Sequence, residues 1–477
     1  MKFYNREKEI KLIGEIIQKK QAQLTVIQGK RRVGKTTLML EALKKEKFLY
    51  FFVSKKTEKE LLVDFADEIQ RKLGVDLYGE FLNLNKFLEF LFTYSKKHQL
   101  IIIFDEFQNF ELVQRSLFSD FQKFWDTEKG SSQIKFFCIG SMFSLIKKIF
   151  TSHKEPLYNR ATQIINLGEF NLATQKEMMH DLGILNPRNF LILNNVFGGV
   201  AKYWELVFDQ DLARKDARDI IRKLFCDDNA YLLYEGKNIL IEEFGKNYEN
   251  YFAILAAIAS GKHIKNEIHN YTGISIDVLG GLLKTLEEFY EIIERRVPVL
   301  EKNSSKLSSY RMRDNFLTFW FRYIYRRNYL IEIKNYAGLF SYIKRDLDTY
   351  LGFAFESLVR DYLVEMNYSA KSIFDFDTIG GYWRRPSMRH DNQEMDIVAV
   401  SHERREVLVG ECKLSARRIN KKLLERLVWK ADQIKQIKKY QRQYYIFTLF
   451  KLSKKDRNFL IKNDFSCLSL EEILKMI

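Results

Sequence analysis

Residues 29–37 read Gly29-Lys30-Arg31-Arg32-Val33-Gly34-Lys35-Thr36-Thr37, directly after the apolar run Leu24 to Gln28 and before a helical stretch. The spacing Gly-x-x-x-x-Gly-Lys-Thr is the pattern of a phosphate-binding loop. Its glycines let backbone N–H groups face phosphates, Lys35 supplies charge to the β and γ phosphates, and the Thr36 hydroxyl coordinates Mg²⁺. We therefore predict that these nine residues bind ATP and that Thr36 is a ligand of Mg²⁺. A glycine turn before an ordinary helix is the alternative.

Two carboxylates follow the apolar strand Leu100 to Phe104. Hydrolysis of ATP needs a carboxylate beside the metal and a group that orients the attacking water. We predict that Asp105 holds Mg²⁺ through water and that Glu106 is the general base. Two acids that merely terminate a strand are the alternative. The glutamate favours hydrolysis over storage of the nucleotide.

Two further residues are candidates for contacts with the γ-phosphate. Ser141 follows the apolar strand Ile134 to Ile139, although a strand-ending turn explains this position nearly as well. Arg160 lies in the segment Pro156-Leu157-Tyr158-Asn159-Arg160. It is a candidate arginine finger that neutralises transition-state charge on a neighbouring subunit, which would make the protein a homo-oligomer. A surface salt bridge is the alternative for Arg160.

Composition and charge suggest a cytoplasmic protein with an anionic partner. The 477 residues are 46% hydrophobic and carry a formal net charge of +16. This charge favours nucleic acid, with DNA preferred over RNA, although a lysine-rich surface that only maintains solubility is the alternative. We expect no membrane partner, because no run approaches the ~20 apolar residues that span a bilayer. The four cysteines lie far apart, so we expect reduced, structural thiols.

The apolar periodicity divides the chain into four segments. Residues 1–170 alternate strands and helices, which predicts a parallel α/β core, and residues 171–235 are helical. Residues 236–330 follow the order helix, helix, helix, hairpin, which is that of a winged helix. Residues 345–477 read helix, strand, strand, strand, helix, strand.

The predicted recognition helix of the winged segment, Ser275 to Tyr290, is poor in groups that read bases. Its only cation is Lys284, against Asp277, Glu287 and Glu288. Base-reading helices usually carry Arg, Lys, Asn or Gln. Lys302 and Lys306 in the predicted wing are candidates for phosphate contacts. We therefore favour a packing or regulatory role over specific readout of DNA.

The sequence resembles an archaeal and bacterial ATPase family related to the AAA+ and signal-transduction ATPases. The resemblance extends along essentially the whole chain, and its motifs are Phe3-Tyr4-Asn5-Arg6-Glu7, the loop at residues 29–36, Pro156 to Arg160, Phe197-Gly198-Gly199-Val200-Ala201, and Tyr310 to Phe321. Asn159 stands where glycine is usual in this family, and Ala201 replaces a proline. The resemblance implies an ATPase core, a helical lid, a winged helix and a C-terminal domain, and it supports Arg160 as an arginine finger.

A second group of charged residues lies in the C-terminal segment: Glu356, Asp396, Glu411 and Lys413. Residues two apart on a strand share a face, so Glu411 and Lys413 point the same way. If the hairpin between the two strands centres near Glu403, Asp396 falls opposite Gly410 or Glu411, about 5 Å away. Two carboxylates and an ammonium then converge, and Glu356 joins them from a helix. We predict that Asp396 and Glu411 bind Mg²⁺ and that Lys413 orients a water or stabilises charge on a phosphorane.

This arrangement resembles the restriction-endonuclease-like nucleases. The resemblance implies a nuclease site, and five neighbouring cations would add contacts to a phosphate backbone: Arg417, Arg418, Lys421, Lys422 and Arg426. Exposed cross-strand charge pairs, or an inactive binding module, are the alternatives. The sequence thus predicts an ATP-hydrolysing α/β protein coupled to a nucleic-acid-binding, Mg²⁺-dependent nuclease domain. The alternative is a signalling ATPase whose C-terminal domain only binds a partner.

Overall fold

The computed structural model describes residues 1–77, 81–245, 248–302, 307–368, 373–384 and 393–477. The chain divides into two compact units. Unit 1 contains Met1–Phe170 with Val200–Glu205, and unit 2 contains Asn171–Gly199 with Leu206–Ile477. The described residues do not include Lys306 of the predicted wing or Arg385.

Unit 1 is built on five strands with helices between them. The strands are β1 (Gln23–Gln28), β2 (Leu49–Phe52), β3 (Leu100–Asp105), β4 (Ile134–Ile139) and β5 (Gln163–Asn166). The helices are α1 (Glu7–Gln18), α2 (Lys35–Ala42), α3 (Glu58–Leu73), α4 (Leu84–Ser95), α5 (Phe110–Gln114), α6 (Leu117–Glu128) and α7 (Phe143–Thr151).

The five strands form one parallel sheet in the order β2-β3-β4-β1-β5. Strand residues alternate between two apolar layers: Ile102 and Phe104 of β3 pack in one core, and Ile101 and Ile103 pack in the other. Burial on both faces explains why these strands are continuous apolar runs. The predicted parallel α/β fold of the ATPase core is confirmed, and the carboxyl ends of β1, β3 and β4 lie at one edge of the sheet.

Unit 2 contains the remaining elements. Its helices are α8 (Leu172–Asp181), α9 (Pro187–Phe197), α10 (Ala201–Asp209, which begins in unit 1), α11 (Ala217–Phe225), α12 (Glu235–Phe244), α13 (Tyr248–Ala259), α14 (Lys265–Thr272), α15 (Ile276–Lys284), α16 (Asn315–Phe319), α17 (Asn328–Glu332), α18 (Tyr336–Tyr368), α19 (Lys421–Asp432), α20 (Lys454–Ile461) and α21 (Leu470–Met476). Its strands are β6 (Ile293–Arg296), β7 (Ser309–Met312), β8 (Thr378–Arg384), β9 (Gln393–Ser401), β10 (Glu406–Lys413), β11 (Gln441–Thr448) and β12 (Phe465–Ser469).

The order of three helices and a hairpin is present in unit 2. Helices α13, α14 and α15 precede the antiparallel pair β6 and β7, in which Glu294 stands opposite Arg311. A π-helical turn, Thr285–Phe289, continues α15 without a break. The predicted helix Ser275 to Tyr290 is therefore continuous but changes from α-helical to π-helical hydrogen bonding. Assignment of residues 236–330 as a winged helix, and the other predicted domain boundaries, stay predictions.

The C-terminal part of unit 2 is a five-stranded mixed sheet in the order β12-β11-β10-β9-β8. Strands β8, β9 and β10 form an antiparallel meander, and β11 and β12 then add in parallel. Helix α18 precedes the sheet, and α19 connects β10 to β11. Strand β8 includes Gly380, and its Tyr382 side chain is buried in the core.

The described cysteines are all free thiols, three of them buried and Cys467 half-buried. No helix in the described ranges is both long enough and apolar enough to cross a membrane.

Candidate functional site

The phosphate-binding pattern lies in the turn between β1 and α2. Gly29 has no room for a side chain, because a Cβ would stand 2.3 Å from the Leu167 carbonyl oxygen. Gly34 has a φ of 91° where it caps α2, and this left-handed conformation favours glycine. Lys35 is buried, and its Nζ donates to the carbonyl oxygens of Gly29 and Lys30, both at 2.9 Å. The loop therefore bends around the ammonium group.

Thr36 and Asp105 meet at the carboxyl edge of the sheet. Thr36 Oγ1 donates to Asp105 Oδ2 at 2.7 Å, and the hydroxyl of Tyr50 donates to the same oxygen at 2.7 Å. Burial and the Asp105 carboxylate raise the pKa of Tyr50, which therefore stays a neutral donor. The predicted pair of metal-side groups is adjacent, and Tyr50 is a third member that the sequence did not single out.

Glu106 directly follows β3 in the left-handed conformation, with a φ of 58°. Its Oε2 accepts hydrogen bonds from Ser141 Oγ at 2.7 Å and from Gln108 Nε2. The predicted base and the predicted sensor are thus in direct contact. Gly140 fits against Gln108, because a Cβ there would stand 2.3 Å from the Gln108 amide oxygen.

A cavity of about 590 Å³ opens over the loop, which lies in the usual range of about 300–1,000 Å³ for small-molecule sites. Its wall includes Lys35, Thr36, Asp105, Glu106, Ser141, Phe3, Tyr4, Arg6, Phe170, Ala201, Lys202 and Glu205. Arg6 is held under this wall: its Nη2 donates to the Gly168 carbonyl at 2.6 Å, and its guanidinium stacks 4.7 Å from the Phe170 ring centroid. The cavity has the size and the donors of a nucleotide site.

Two departures from the resembled family have local explanations. Asn159 has a φ of 59°, a left-handed conformation that Asn tolerates better than most residues, so it can replace glycine. Ala201 is the first residue of α10, a position that proline favours but that alanine also suits.

Arg160 lies in an ion pair within its own chain. Its Nη2 is 3.1 Å from Asp126 Oδ2, and its Nη1 donates to the Tyr158 carbonyl at 2.8 Å. It does not line the described nucleotide cavity of unit 1. A role on a neighbouring subunit therefore requires Arg160 to leave Asp126, and this role stays a prediction.

The second candidate site lies where β9 and β10 pair. Gly410 stands opposite Ile397, so Glu411 and Asp396 are the next facing positions, as the predicted hairpin register requires. Asp396 Oδ2 accepts from the Cys412 backbone N–H at 2.8 Å. Lys413 Nζ donates to Glu411 Oε1 at 2.6 Å. Glu411 Oε2 is buried without a hydrogen-bond partner.

Electrostatics link Glu356 on α18 to this pair. Burial, and then the Asp396 carboxylate, raises the pKa of Glu356 to about 9. Burial and Glu411 raise the pKa of Asp396 to about 6. Burial acts to lower the pKa of Lys413, but Glu411 and Asp396 together outweigh it, and this pKa is raised above its usual value. Three carboxyl groups and one ammonium thus lie close together and largely buried, and the Asp396 carboxylate opposes ionisation of Glu356.

Oxygen donors that suit Mg²⁺ occur in both places. Among the described residues, no group of three or more His, Cys, Asp or Glu side chains is arranged to hold a metal ion. Thr36 Oγ1 with Asp105 Oδ2 in unit 1, and Asp396 with the unpartnered Glu411 Oε2 in unit 2, nevertheless supply the hard ligands that Mg²⁺ prefers. The residues fit Mg²⁺ if substrate phosphates and water complete the coordination.

The predicted basic residues lie on and before α19, and all five are exposed. Of these five, only Lys421 has an ion-pair partner among the described residues, Glu425 at 3.7 Å. By contrast, Lys284 on α15 is neutralised by Glu288 at 3.7 Å. The cationic surface that suits a nucleic acid is therefore on α19, not on the predicted recognition helix.

Comparisons with known proteins match two parts of the chain to families. Residues 3–203 match a family described as an ATPase domain predominantly from Archaea. Residues 320–426 match a family described as archaeal and bacterial proteins of unknown function. All four residues of the second candidate site lie within the latter range.

Two relatives come from Methanocaldococcus jannaschii. An uncharacterized protein is 29% identical over 456 residues, which is 93% of this chain and 91% of the relative. An uncharacterized ATP-binding protein is 25% identical over 322 residues, covering 54% of this chain and 86% of the relative. A solved structure, a Walker-type ATPase of Pyrococcus abyssi, shares the fold with a TM-score of 0.52 at 20% identity, over 67% of this chain and 96% of that one. Residues 3–203 are therefore an ATPase domain of the family found predominantly in Archaea, followed at residues 320–426 by a domain of the second family.

Proposed function

We propose that the protein binds and hydrolyses ATP with Mg²⁺ in unit 1. We further propose that the C-terminal part of unit 2 cleaves nucleic acid, with DNA preferred over RNA. The observation that carries the second half is the convergence of Asp396, Glu411 and Lys413 on two paired strands, with Glu356 beside them. A largely buried cluster of carboxylates whose pKa values are raised is more typical of a binding or catalytic site than of a surface salt bridge.

In unit 1, the loop amides and Lys35 would hold the phosphates, and Thr36 and Asp105 would hold Mg²⁺, which neutralises charge that develops on the phosphate oxygens. Lys35 would exchange its bonds to the Gly29 and Lys30 carbonyls for phosphate oxygens. Glu106 would accept a proton from the attacking water, while Ser141 and Gln108 set the direction of its carboxylate. Tyr50 would keep Asp105 in place through its hydrogen bond.

In unit 2, Asp396 and Glu411 would hold Mg²⁺, whose charge stabilises the phosphorane and acidifies a bound water. Lys413 would orient the water for attack on phosphorus. One new P–O bond forms from the water, the bond to the leaving strand oxygen breaks, and that oxygen takes up a proton. The exposed cations on and before α19 would hold the flanking phosphates without reading the sequence.

A cleavage assay on the full chain tests this proposal. Labelled DNA and RNA would be incubated with Mg²⁺ or Mn²⁺, with and without ATP. We expect Asp396→Ala and Lys413→Ala to lower cleavage at least about 100-fold while ATP hydrolysis is kept, since general acid–base and electrostatic groups contribute on that scale. Lys35→Ala, which removes a phosphate contact in unit 1, shows whether cleavage depends on ATP.

The matched control is Glu406→Gln, which removes a carboxylate from the other end of β10. It should cleave like the parent. No metal-dependent cleavage in the parent would instead support the partner-binding module. Cleavage that survives in the Asp396→Ala, Lys413→Ala double variant would assign the activity elsewhere.

A further inference from the structure

The β6–β7 hairpin is seated on the C-terminal sheet, next to the carboxylate cluster. The Val299 backbone N–H donates to the Gly381 carbonyl at 2.9 Å, and Trp383 Nε1 donates to the Leu307 carbonyl at 3.0 Å. Val299 is buried in the same apolar core as Tyr382. These contacts join a segment outside both matched ranges, 3–203 and 320–426, to the candidate nuclease site.

Two guanidinium groups meet at this junction on one hydroxyl. Arg311 Nη1 on β7 and Arg360 Nη2 on α18 both donate to Ser357 Oγ, the latter at 3.1 Å. Ser357 directly follows Glu356. Among the described residues, neither arginine forms an ion pair within 4.0 Å, and both donate hydrogen bonds to Ser357. Two like charges that share one neutral acceptor repel each other, and they are stabilised when an anion lies between them.

The pair lies close enough to act on the carboxylates. The Arg311 charge lowers the pKa of Glu356 against the larger effect of burial. Burial lowers the pKa of Arg360, and Asp361, Glu294 and, least, Asp396 partly offset this effect. Carboxylate oxygens that suit a cation and guanidinium groups that suit an anion therefore lie next to each other. A phosphoryl group with a divalent cation has the complementary distribution of charge.

We propose that Arg311 and Arg360 bind a phosphoryl group of a nucleic-acid strand, and that the β6–β7 hairpin thereby completes the C-terminal site. The proposal rests on the proposed nuclease function for the identity of the strand. The planar guanidinium presents two parallel donors to phosphate oxygens, which lysine does not. Ser357 is a positioning residue that orients the guanidinium groups of both arginines. Residues 345–477 alone lack Arg311 and would form an incomplete site.

Binding of labelled single-stranded and double-stranded DNA to the full chain tests the inference. The assay would use Ca²⁺ in place of Mg²⁺. Arg311→Gln should weaken binding about 10- to 100-fold, as expected for the loss of a charged hydrogen-bonding contact. It should also reduce the slope of log affinity against log salt by about 1. Arg313→Gln is the matched control, because it removes a charge from the same segment, where Arg313 pairs with Glu291 at 3.9 Å.

Inorganic phosphate and ATP would serve as competitors, to separate a strand phosphate from a free phosphoryl group. We expect both to compete far less well than unlabelled DNA. Equal competition by inorganic phosphate would overturn the assignment to a strand. Thermal unfolding and ATP hydrolysis of each variant report whether the fold is kept, and Arg360→Lys, which retains charge but loses the planar fork, provides a second and milder variant.

The outcomes separate this inference from the nuclease proposal. If the parent binds DNA without cleaving it and Arg311→Gln weakens binding, the result supports the phosphoryl-binding site and contradicts the proposed nuclease activity. If the parent cleaves DNA and both Arg311→Gln and Arg360→Lys bind like Arg313→Gln, the nuclease stands and this inference is wrong. A parent that binds no nucleic acid overturns both.

Discussion

In the proposed mechanism, Glu106 is the residue on which ATP hydrolysis in unit 1 depends most directly. Its carboxylate accepts from Ser141 and Gln108 through one oxygen, Oε2. We predict that Glu106→Gln keeps ATP affinity but lowers turnover at least about 100-fold, because an amide does not accept the proton of the attacking water. Calorimetry would measure binding, and release of inorganic phosphate would measure turnover.

The matched control is Glu111→Gln on α5, whose carboxylate pairs with Lys148 at 3.5 Å outside the nucleotide cavity. It should hydrolyse ATP like the parent. Unchanged phosphate release by Glu106→Gln would remove Glu106 from the mechanism, and Asp105 would then be the remaining candidate for the base.

At the residue scale, the positions of Lys35, Thr36, Asp105 and Glu106 were predictable. Each lies at or after the end of a strand, in a known sequence pattern. Tyr50 could not be found in this way. Its contact with Asp105 depends on β2 lying next to β3, with Phe52 opposite Asp105, and strand order is not written in the residues themselves. Gln108 is closer in sequence, but its contact follows from the left-handed turn at Glu106.

At the scale of elements, the pairing of β9 with β10 was predictable to within one residue. The short polar turn places Asp396 opposite Gly410 or Glu411, and the observed pairing of Gly410 with Ile397 makes Glu411 the facing residue. The contact of Arg311 with Ser357 was not predictable, because it joins two elements 46 residues apart in the chain. Packing of β6–β7 on the sheet decides it, and no periodic pattern reports such packing.

The carboxylate cluster makes the stability of unit 2 depend on pH. Burial and Asp396 raise the pKa of Glu356 from 4.5 to about 9 in the folded chain. The folded state therefore keeps a proton that the unfolded state releases, so this stabilisation is complete below pH 4.5 and is lost as the pH rises through 9. We predict that the unfolding temperature falls between pH 5 and pH 9, and that Glu356→Gln flattens this fall by at least about 2 °C.

Mn²⁺ provides a separate readout for the same element. Metal ligands must lose their protons, so stabilisation by Mn²⁺ should grow with pH in the parent and be absent in Asp396→Ala. Glu403→Gln, in the exposed turn between β9 and β10, is the control and should behave like the parent. A parent whose unfolding temperature is the same at pH 5 and pH 9 would contradict the shared burial of Glu356 and Asp396.

At the scale of the whole molecule, exposed positive charge is distributed unevenly between the predicted recognition helix, α15, and the cationic segment on and before α19. The net charge of +16 alone does not locate a partner. The structure places unpaired cations on and before α19, whereas the single cation of α15 is paired with Glu288. Helix α15, the recognition helix expected from a winged-helix order, is therefore the weaker candidate for DNA contacts. This agrees with the few base-reading residues in its sequence.

Assembly is the remaining question at this scale, and Arg160 is the residue that decides it. Because Arg160 pairs with Asp126 in its own chain, a finger role requires a neighbouring subunit to draw it away. If it acts there, ATP hydrolysis per subunit should rise with protein concentration. Arg160→Ala should lower turnover at least about tenfold, since a charge on the transferring phosphate is lost. Arg115→Ala, which removes an exposed arginine from the same unit, should not.

Mixing two inactive variants gives the decisive measurement. Glu106→Gln subunits supply the finger, and Arg160→Ala subunits supply the intact water-activating site. In a head-to-tail assembly of equal parts, random mixing joins an intact site to an intact finger at about a quarter of the interfaces, since each partner is correct half of the time. We therefore expect mixed samples to regain up to about a quarter of the parent activity. A strict monomer with concentration-independent hydrolysis, or mixtures that stay inactive, would leave Arg160 as the partner of Asp126 and nothing more.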